Sequence, residues 1–484
     1  MLNKPKTIDF TEGPFAKKII RFVIPLMLAY LFQQMYNSAD LIFSGNYIGK
    51  EASAAIGASS MLITLAIGLF GGLSVGMGIL FSKAYGAHDF ASQNKLGKLV
   101  IILSISVGGI FTVLGLCLAT PVLSLMQTPQ DILEMASSYI RVYFLGIIPM
   151  VLFNMSAGLL RATGNSRTPM IFQTIGGAIN VFLDWLFIST WPDGILGVAA
   201  ASVISQTFAA IATYLYYLHA KKKHYMTHRE LGDLADWKKE DYDVPASMRG
   251  MVQAIFALGL PVGIQNMMVT LSNVFVQANI NSLGVDAIAA YTDYYKIELF
   301  LYYPIISFGQ AVLFIVGQNL GAQKYDRISE SIKTVLKISL PFVAVIEVLL
   351  FIFCGIFYVI FSPQQEVVEL GKQITRLTTP FYFFYVFIEV FSNASRSLGK
   401  TKSAMLVSVI CFAVIRAGVL VILNVTGTLS IYTVAAIYPA TWGLAGIWYF
   451  IIWKRASKDI GKSKKIAFEN IDENDTLENN NGKI

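Results

Sequence analysis

The chain has 484 residues, of which 55% are hydrophobic and only 14% charged, with a mean hydropathy of +0.59. A soluble protein would carry nearer a quarter charged residues, so a set of water-soluble domains is excluded. The formal net charge is +7, yet the basic residues sit between long apolar runs, which points to a lipid bilayer as partner and away from nucleic acid.

About 20 apolar residues cross the hydrocarbon core of a bilayer. In chain order the sequence predicts a polar N-terminus (1–17), then spans at 18–45, 53–82, 97–120, 133–160, 168–190 and 195–219. A polar stretch at 220–250 follows, mixing Lys221, Lys222 and Lys223 with Asp233, Asp236, Glu240, Asp241 and Asp243, and reads as a linker. Six more spans are predicted at 252–282, 287–318, 333–361, 370–397, 402–424 and 432–453. The domains are therefore a first lobe (18–219), a linker (220–250), a second lobe (251–453) and a tail (454–484) that is acidic near its end and expected to be disordered.

Of the 37 Lys and Arg residues, 31 fall on the side that carries the N-terminus, whereas only Lys50 and Lys372 fall opposite. Arg141, Lys296, Arg376 and Arg416 lie within spans. The positive-inside bias puts both termini in the cytoplasm, which an even number of spans requires. The first apolar run is too long for a signal peptide. Cys117, Cys354 and Cys411 all lie inside spans and form no disulfide or metal framework.

The two halves repeat each other at an offset of 235 residues. Arg161 to Met170 returns as Arg396 to Met405, Gly49 as Gly284, Gly86-Ala87 as Gly321-Ala322, and Arg141 as Arg376. Pro25 and Asn37 match Pro261 and Asn273 with a one-residue slip. Two homologous lobes with a site between them are a common transporter plan.

An acid inside a membrane span costs about 2.5–3.5 kcal/mol, so each one needs a reason. On span 1, Gln33, Tyr36, Asn37 and Asp40 share one helical face; on span 5, Gln173, Gly177, Asn180 and Asp184 do. Asp40 and Asp184 sit roughly 8–9 Å below the same boundary, counted at 1.5 Å per residue. Tyr139 on span 4 and Ser202 on span 6 fall at a similar depth. Such oxygens suit a proton or a hard cation such as Na⁺. The bland alternative is that the two acids merely pair with neighbours such as Arg141.

The second lobe does not repeat these acids: Asp40 becomes Val276 and Asp184 becomes Val419. It has instead a polar stripe on span 7 (Asn266, Thr270, Asn273, Gln277, Asn281), Asp293, Lys296 and Glu298 on span 8, and Glu389 with Asn393 on span 10. Asn266, Asn273, Gln277, Asp293, Glu298 and Glu389 are candidate substrate contacts. Lys296 and Glu298 are also candidates to neutralise each other. Dense aromatics, such as Tyr291, Tyr294, Tyr295, Tyr302 and Tyr303, suit lipophilic cations.

Several segments carry a resemblance: Thr11-Glu-Gly-Pro14, Pro25, Gly86-Ala87, Arg161 to Met170, Lys296-Ile-Glu298 and Gly317-Gln-Asn-Leu-Gly-Ala322. With these the chain resembles, from about 11 to 455, the multidrug and toxic compound extrusion (MATE) family, in its prokaryotic branch of NorM-like and DNA-damage-inducible (DinF-like) exporters. The resemblance implies an all-α integral membrane protein, with twelve transmembrane helices in two pseudo-symmetric six-helix bundles forming a V. It also implies export of drugs against H⁺ or Na⁺, no cofactor, a monomer, and the plasma membrane of a prokaryote. In similar members a first-helix acid and a fifth-helix Asn/Asp pair form the cation site, which Asp40, Asn180 and Asp184 match. Tyr139 matches the fourth-helix tyrosine, and Ser202 or Ser205 the sixth-helix hydroxyl. Some members use a seventh-helix acid, whose stripe here holds only Asn, Gln and Thr.

One rival is a flippase for lipid-linked saccharides, which would be expected to line its cavity with several arginines. An intramembrane enzyme is disfavoured because His88, His219, His224 and His228 lie in loops or at helix ends and no catalytic dyad is evident. No Walker-type loop points to ATP.

Overall fold

The computed structural model describes residues 7–190, 194–230 and 244–481; side chains are described through 222 and 459, apart from Asn37, Leu41 and Ile42. All of its regular elements are helical: α1 (Phe15–Phe43), α2 (Lys50–Gly86), α3 (Phe90–Leu125), α4 (Gln130–Leu145), α5 (Ile147–Ala162), α6 (Arg167–Thr190) and α7 (Gly194–Glu230) form the first lobe. The second comprises α8 (Met248–Asn281), α9 (Val285–Gly321), α10 (Tyr325–Phe361), α11 (Gln365–Thr378), α12 (Tyr382–Ser397), α13 (Thr401–Ser408), α14 (Arg416–Val425) and α15 (Ile431–Asn481). Short π-helical stretches extend α1 at Ser44–Ile48 and join α13 to α14 at Val409–Ile415.

Nine of the described helical stretches are long and apolar enough to cross a bilayer, and α4 with α5, bent by 47°, make a tenth. The remaining two passes are α1 and the α11–α12 pair, which give twelve helices in two bundles of six. Both are diluted by polar residues: α1 by Gln33, Gln34, Asn37 and Asp40, and α11 by Glu366, Glu369, Lys372 and Arg376. The α4–α5 break falls at Gly146 and the α11–α12 break in the 3₁₀ turn Thr379–Phe381, at corresponding places in the repeat.

The repeat is also written in the backbone. Positive φ angles occur in pairs at the 235-residue offset: Gly49 and Gly284, His88 and Gln323, Gly164 and Gly399. At Gly164 and Gly399 the values are 78° and 79°, and each amide donates to an arginine carbonyl three residues back at 2.9 Å. That left-handed helix stop is one only glycine adopts without strain. The conserved arginine-glycine spacing of the repeat is thus a turn requirement.

The lobes meet at their termini-side ends, around a pseudo-two-fold axis. A Cβ placed on Gly86 would lie 1.9 Å from the Gln318 carbonyl oxygen, and one on Gly321 1.9 Å from that of Lys83. Residues 83 and 318 are equivalent, as are 86 and 321, so this crossing of α2 with α9 is self-complementary. Farther along, Gly72 and Gly76 of α2 face Gly259 and Gly263 of α8 at backbone contact. Small residues four apart allow such close helix approach in a membrane. Interlobe contacts continue to Gly68–Asn266 and Tyr303–Gln34, beyond which Met35, Phe275 and Tyr295 are exposed. The V therefore opens away from the termini.

The N-terminal stretch is packed between the lobes. The Phe10 amide donates to Gln318 Oε1 at 2.9 Å, while Asn319 donates to the Phe10 carbonyl at 3.3 Å and Lys324 to that of Thr11 at 3.2 Å. Gln318 also donates to the Ala162 carbonyl of the first lobe at 2.7 Å. Fully buried Phe10 meets Phe22, which meets Phe314 of α9. At the other end α15 runs as helix to Asn481, in a stretch with no proline after Pro439. α7 runs to Glu230, into the stretch read as a linker, whose acidic part at 231–243 lies outside the described residues.

Candidate functional site

Asp40, Tyr139, Asn180, Asp184 and Ser202 come together in the first lobe, where α1, α4, α6 and α7 converge. Small residues on α6 set the spacing: a Cβ on Gly177 would lie 2.8 Å from the Tyr36 ring, and one on Gly176 3.2 Å from the Ser205 carbonyl. α6 thus settles against α1 and α7 with Asn180 and Asp184 turned into the seam. Their exposures are 1% and 0%, against 8% for Asp40 and 3% for Tyr139, so none of the four faces lipid or bulk water.

The polar contacts inside are few and long. Ser202 Oγ donates to Asp40 Oδ2 at 3.4 Å, and Asn180 Nδ2 donates to Ser202 Oγ at 3.4 Å. The Asp40 and Asp184 carboxyls adjoin each other, with the Tyr139 phenol beside both. Asp40 Oδ1, Asn180 Oδ1 and both carboxyl oxygens of Asp184 are buried without a hydrogen-bond donor from the protein. A buried acceptor left unmatched costs about 1–3 kcal/mol, more when charged. Four such oxygens from three side chains in one seam fit a proton or a hard monovalent cation, with Ser202 as a further oxygen. Arg141 is not the answer to these acids: it points to the Thr120 hydroxyl at 3.1 Å.

Gln173 donates to the Tyr36 hydroxyl at 3.1 Å, and Gln33 also hydrogen-bonds to Tyr36. The Asn37 side chain lies outside the described residues. Ser205 turns to the Ser202 carbonyl at 3.0 Å, leaving Ser202 as the hydroxyl that reaches Asp40. Tyr143, one turn beyond Tyr139, was not singled out in the sequence, yet it stacks toward Tyr139 with ring centres 6.1 Å apart. An i, i+4 search from Tyr139 would have found it.

The second-lobe candidates do not share one site. Lys296 bonds to Asp293 at 3.2 Å, not to Glu298. Residues two apart on a helix point to different faces, whereas residues three apart are neighbours, so the sequence pairing of Lys296 with Glu298 is corrected. Glu298 accepts instead from the Tyr382 hydroxyl, which meets Tyr294 at 3.1 Å. Arg416 lies within electrostatic range of Glu298. It is buried over the rings of Tyr438 (4.2 Å) and Phe412 (5.4 Å), and donates to Thr441 at 3.3 Å and Asn273 at 3.4 Å. Glu389 accepts from Asn393 at 3.0 Å, and Asn393 from Arg396 at 3.1 Å. Asn266 braces the lobes by donating to the Gly68 carbonyl at 3.1 Å, and Gln277 donates to Asn281 at 2.8 Å. Among the described residues no three His, Cys, Asp or Glu side chains gather as a metal centre would require.

The MatE family model matches residues 25–186 and again 261–422. The chain belongs to the MATE family of membrane transporters. Both matches begin at the repeated prolines, Pro25 and Pro261, and each covers the first five spans of a lobe. A relative named "Probable multidrug resistance protein YpnP", from Bacillus subtilis, is 26% identical over 413 residues, covering 85% of this chain and 89% of the relative. The "Multidrug export protein MepA" of Staphylococcus aureus (strain MSSA476) is 22% identical over 84% of this chain and 87% of its own length. A solved structure described as the outward-facing conformation of a multidrug resistance MATE family transporter superposes with a TM-score of 0.83 at 22% identity, over 95% of this chain and 100% of that one.

Proposed function

We propose that this MATE protein is a secondary active multidrug exporter, trading lipophilic or cationic small molecules for H⁺ or Na⁺ by alternating access. The observation that carries the ion half is the set of donor-less oxygens on Asp40, Asn180 and Asp184. The drug half is supported by the relatives' names and by the aromatic walls around Glu298. The reading takes the protein as a monomer without cofactor, catalysis or nucleic-acid partner, in a prokaryotic plasma membrane with both termini cytoplasmic.

With the V open to the outside, an external proton or Na⁺ enters the seam and neutralises part of the Asp40–Asp184 pair. Two adjoining carboxylates repel when both are ionised, so the ion draws α1 and α6 together and changes the packing of α7. That change favours release of the drug. The return inward requires the α2–α9 crossing and the segment Ile8–Gly13 to separate from each other, after which the ion leaves and a drug reloads. Strict exchange follows if drug and ion bind competitively or favour opposite states. One charge carried through the full potential supplies about 2.3 kcal/mol per 100 mV.

The test is ethidium transport in proteoliposomes under an imposed pH gradient and, separately, an imposed Na⁺ gradient. Transport driven by one of them supports the reading and names the ion. Folded protein that moves ethidium under neither gradient, and instead binds a lipid-linked saccharide, would overturn it in favour of a flippase.

A further inference from the structure

A groove on the second lobe takes no part in the sites above. It lies between the last turns of α10 and the second half of α11, on the side opposite the termini, with a volume of about 510 Å³. Ile352, Phe353, Ile356 and Val359 form its wall, and all four are exposed. In a bilayer these side chains face hydrocarbon. Its other wall carries two cations, Lys372 and Arg376.

These cations are set deep. Lys372 and Arg376 stand seven and eleven residues from Gln365, where α11 begins. At 1.5 Å per residue that is roughly 10 and 16 Å along the helix, from which their long stems reach back toward the interface. Cations at such depth are costly without partners. Lys372 bonds to Glu369 at 2.7 Å, and Arg376 lies over the Phe351 ring at 5.9 Å, so the cluster keeps one positive charge in excess.

The lysine stem lies directly on glycine. A Cβ on Gly355 would lie 2.7 Å from Lys372 Cε, so the side chain occupies a slot over this residue. Gly371 likewise admits the Tyr358 ring, whose hydroxyl meets Thr375 at 2.9 Å and ties α10 to α11. The first lobe lacks this arrangement: Arg141 repeats Arg376, but Ser137 stands where Lys372 would be.

We propose that this groove holds one anionic phospholipid of the leaflet opposite the termini, its phosphate between Lys372 and Arg376 and an acyl chain along Ile352, Ile356 and Val359. The occupant is a lipid because the groove faces hydrocarbon. It is anionic because the wall carries excess positive charge and a guanidinium matches phosphate geometry. Basic pockets between transmembrane helices on the cytoplasmic side bind such headgroups, and this groove offers the same chemistry to the opposite leaflet.

Native mass spectrometry of the full-length protein in detergent, titrated with phosphatidylglycerol and with phosphatidylcholine, tests this. Wild type should retain one phosphatidylglycerol more tightly than any phosphatidylcholine, and inorganic phosphate should not displace it. The paired change Lys372→Gln with Arg376→Gln should weaken that site about thirtyfold, the effect of two basic residues at a membrane surface. Gly355→Leu, which keeps both charges but fills the slot, should weaken it as well, and carries the test if the paired variant does not fold. Arg141→Gln should leave it unchanged. Equal retention of the two lipids by wild type, unchanged binding in both groove variants, or displacement by free phosphate would each overturn the proposal.

Discussion

The two lobes share a backbone plan but treat buried charge in opposite ways. In the first, Asp40 and Asp184 adjoin each other, with only a long contact from Ser202 and four oxygens lacking a donor. In the second, three acids come with company: Lys296 on Asp293, Tyr382 on Glu298 with Arg416 in range, and Asn393 on Glu389, while Asp293 Oδ2 and Glu347 Oε1 are buried singly without a donor. On the proposed reading the first lobe takes a mobile cation, whereas the second places Lys296 and Arg416 near two of its acids. The two scaffolds are similar, but valine stands at positions 276 and 419 where the first lobe has Asp40 and Asp184. The difference argues that ion coupling belongs to the first lobe, and that the second has polar groups free to meet a substrate without adding another ion site.

The largest expected effect comes from removing that asymmetry at its source. Asp40→Asn should cut gradient-driven drug efflux in proteoliposomes by about a hundredfold, the upper range of a typical coupling free energy. Efflux that survives with its ion dependence intact would place the coupling elsewhere. Next, Arg416→Gln should lower drug affinity about tenfold, the equivalent of about 1.4 kcal/mol, while the same ion still drives transport. A change of coupling ion in that variant would break the comparison. Smaller again is Ser202→Ala, which deletes two long hydrogen bonds, to Asp40 and from Asn180, together worth about 0.5–1.5 kcal/mol at that length. It should raise the concentration of coupling ion needed for half-maximal transport by about two- to tenfold. Smallest is Glu298→Gln, which keeps the acceptor for Tyr382 and should leave ion dependence within about twofold, since coupling between sites without shared partners is weak; a larger shift would give the second lobe a share in coupling.

Much of the first-lobe site was legible because its parts obey helical arithmetic. Asn180 and Asp184 are four apart, as are Tyr36 and Asp40, and the depth count put Tyr139 and Ser202 beside them. The repeat was legible because its clustered Gly and Arg residues serve turn geometry, as the matched φ angles at Gly164 and Gly399 demonstrate. The second lobe was harder to read. Lys296 and Glu298 are close in sequence but on different helix faces, and the true partner of Glu298, Tyr382, is 84 residues away. The importance of Arg416 depends on Asn273, Tyr438 and Thr441 meeting it from α8 and α15, a tertiary fact that no local pattern encodes. The N-terminal segment likewise looks like an ordinary polar leader, and its place between the lobes rests on Gln318 and Asn319, over 300 residues on.

The most direct test of the central claim is to count the ions displaced when drug binds to the purified protein, in wild type, Asp40→Asn and Glu298→Gln. The account predicts that wild type and Glu298→Gln release the same number of protons or Na⁺ per drug bound, and that Asp40→Asn releases fewer. Loss of ion release in Glu298→Gln, with Asp40→Asn unchanged, would contradict it and move the coupling site to the second lobe.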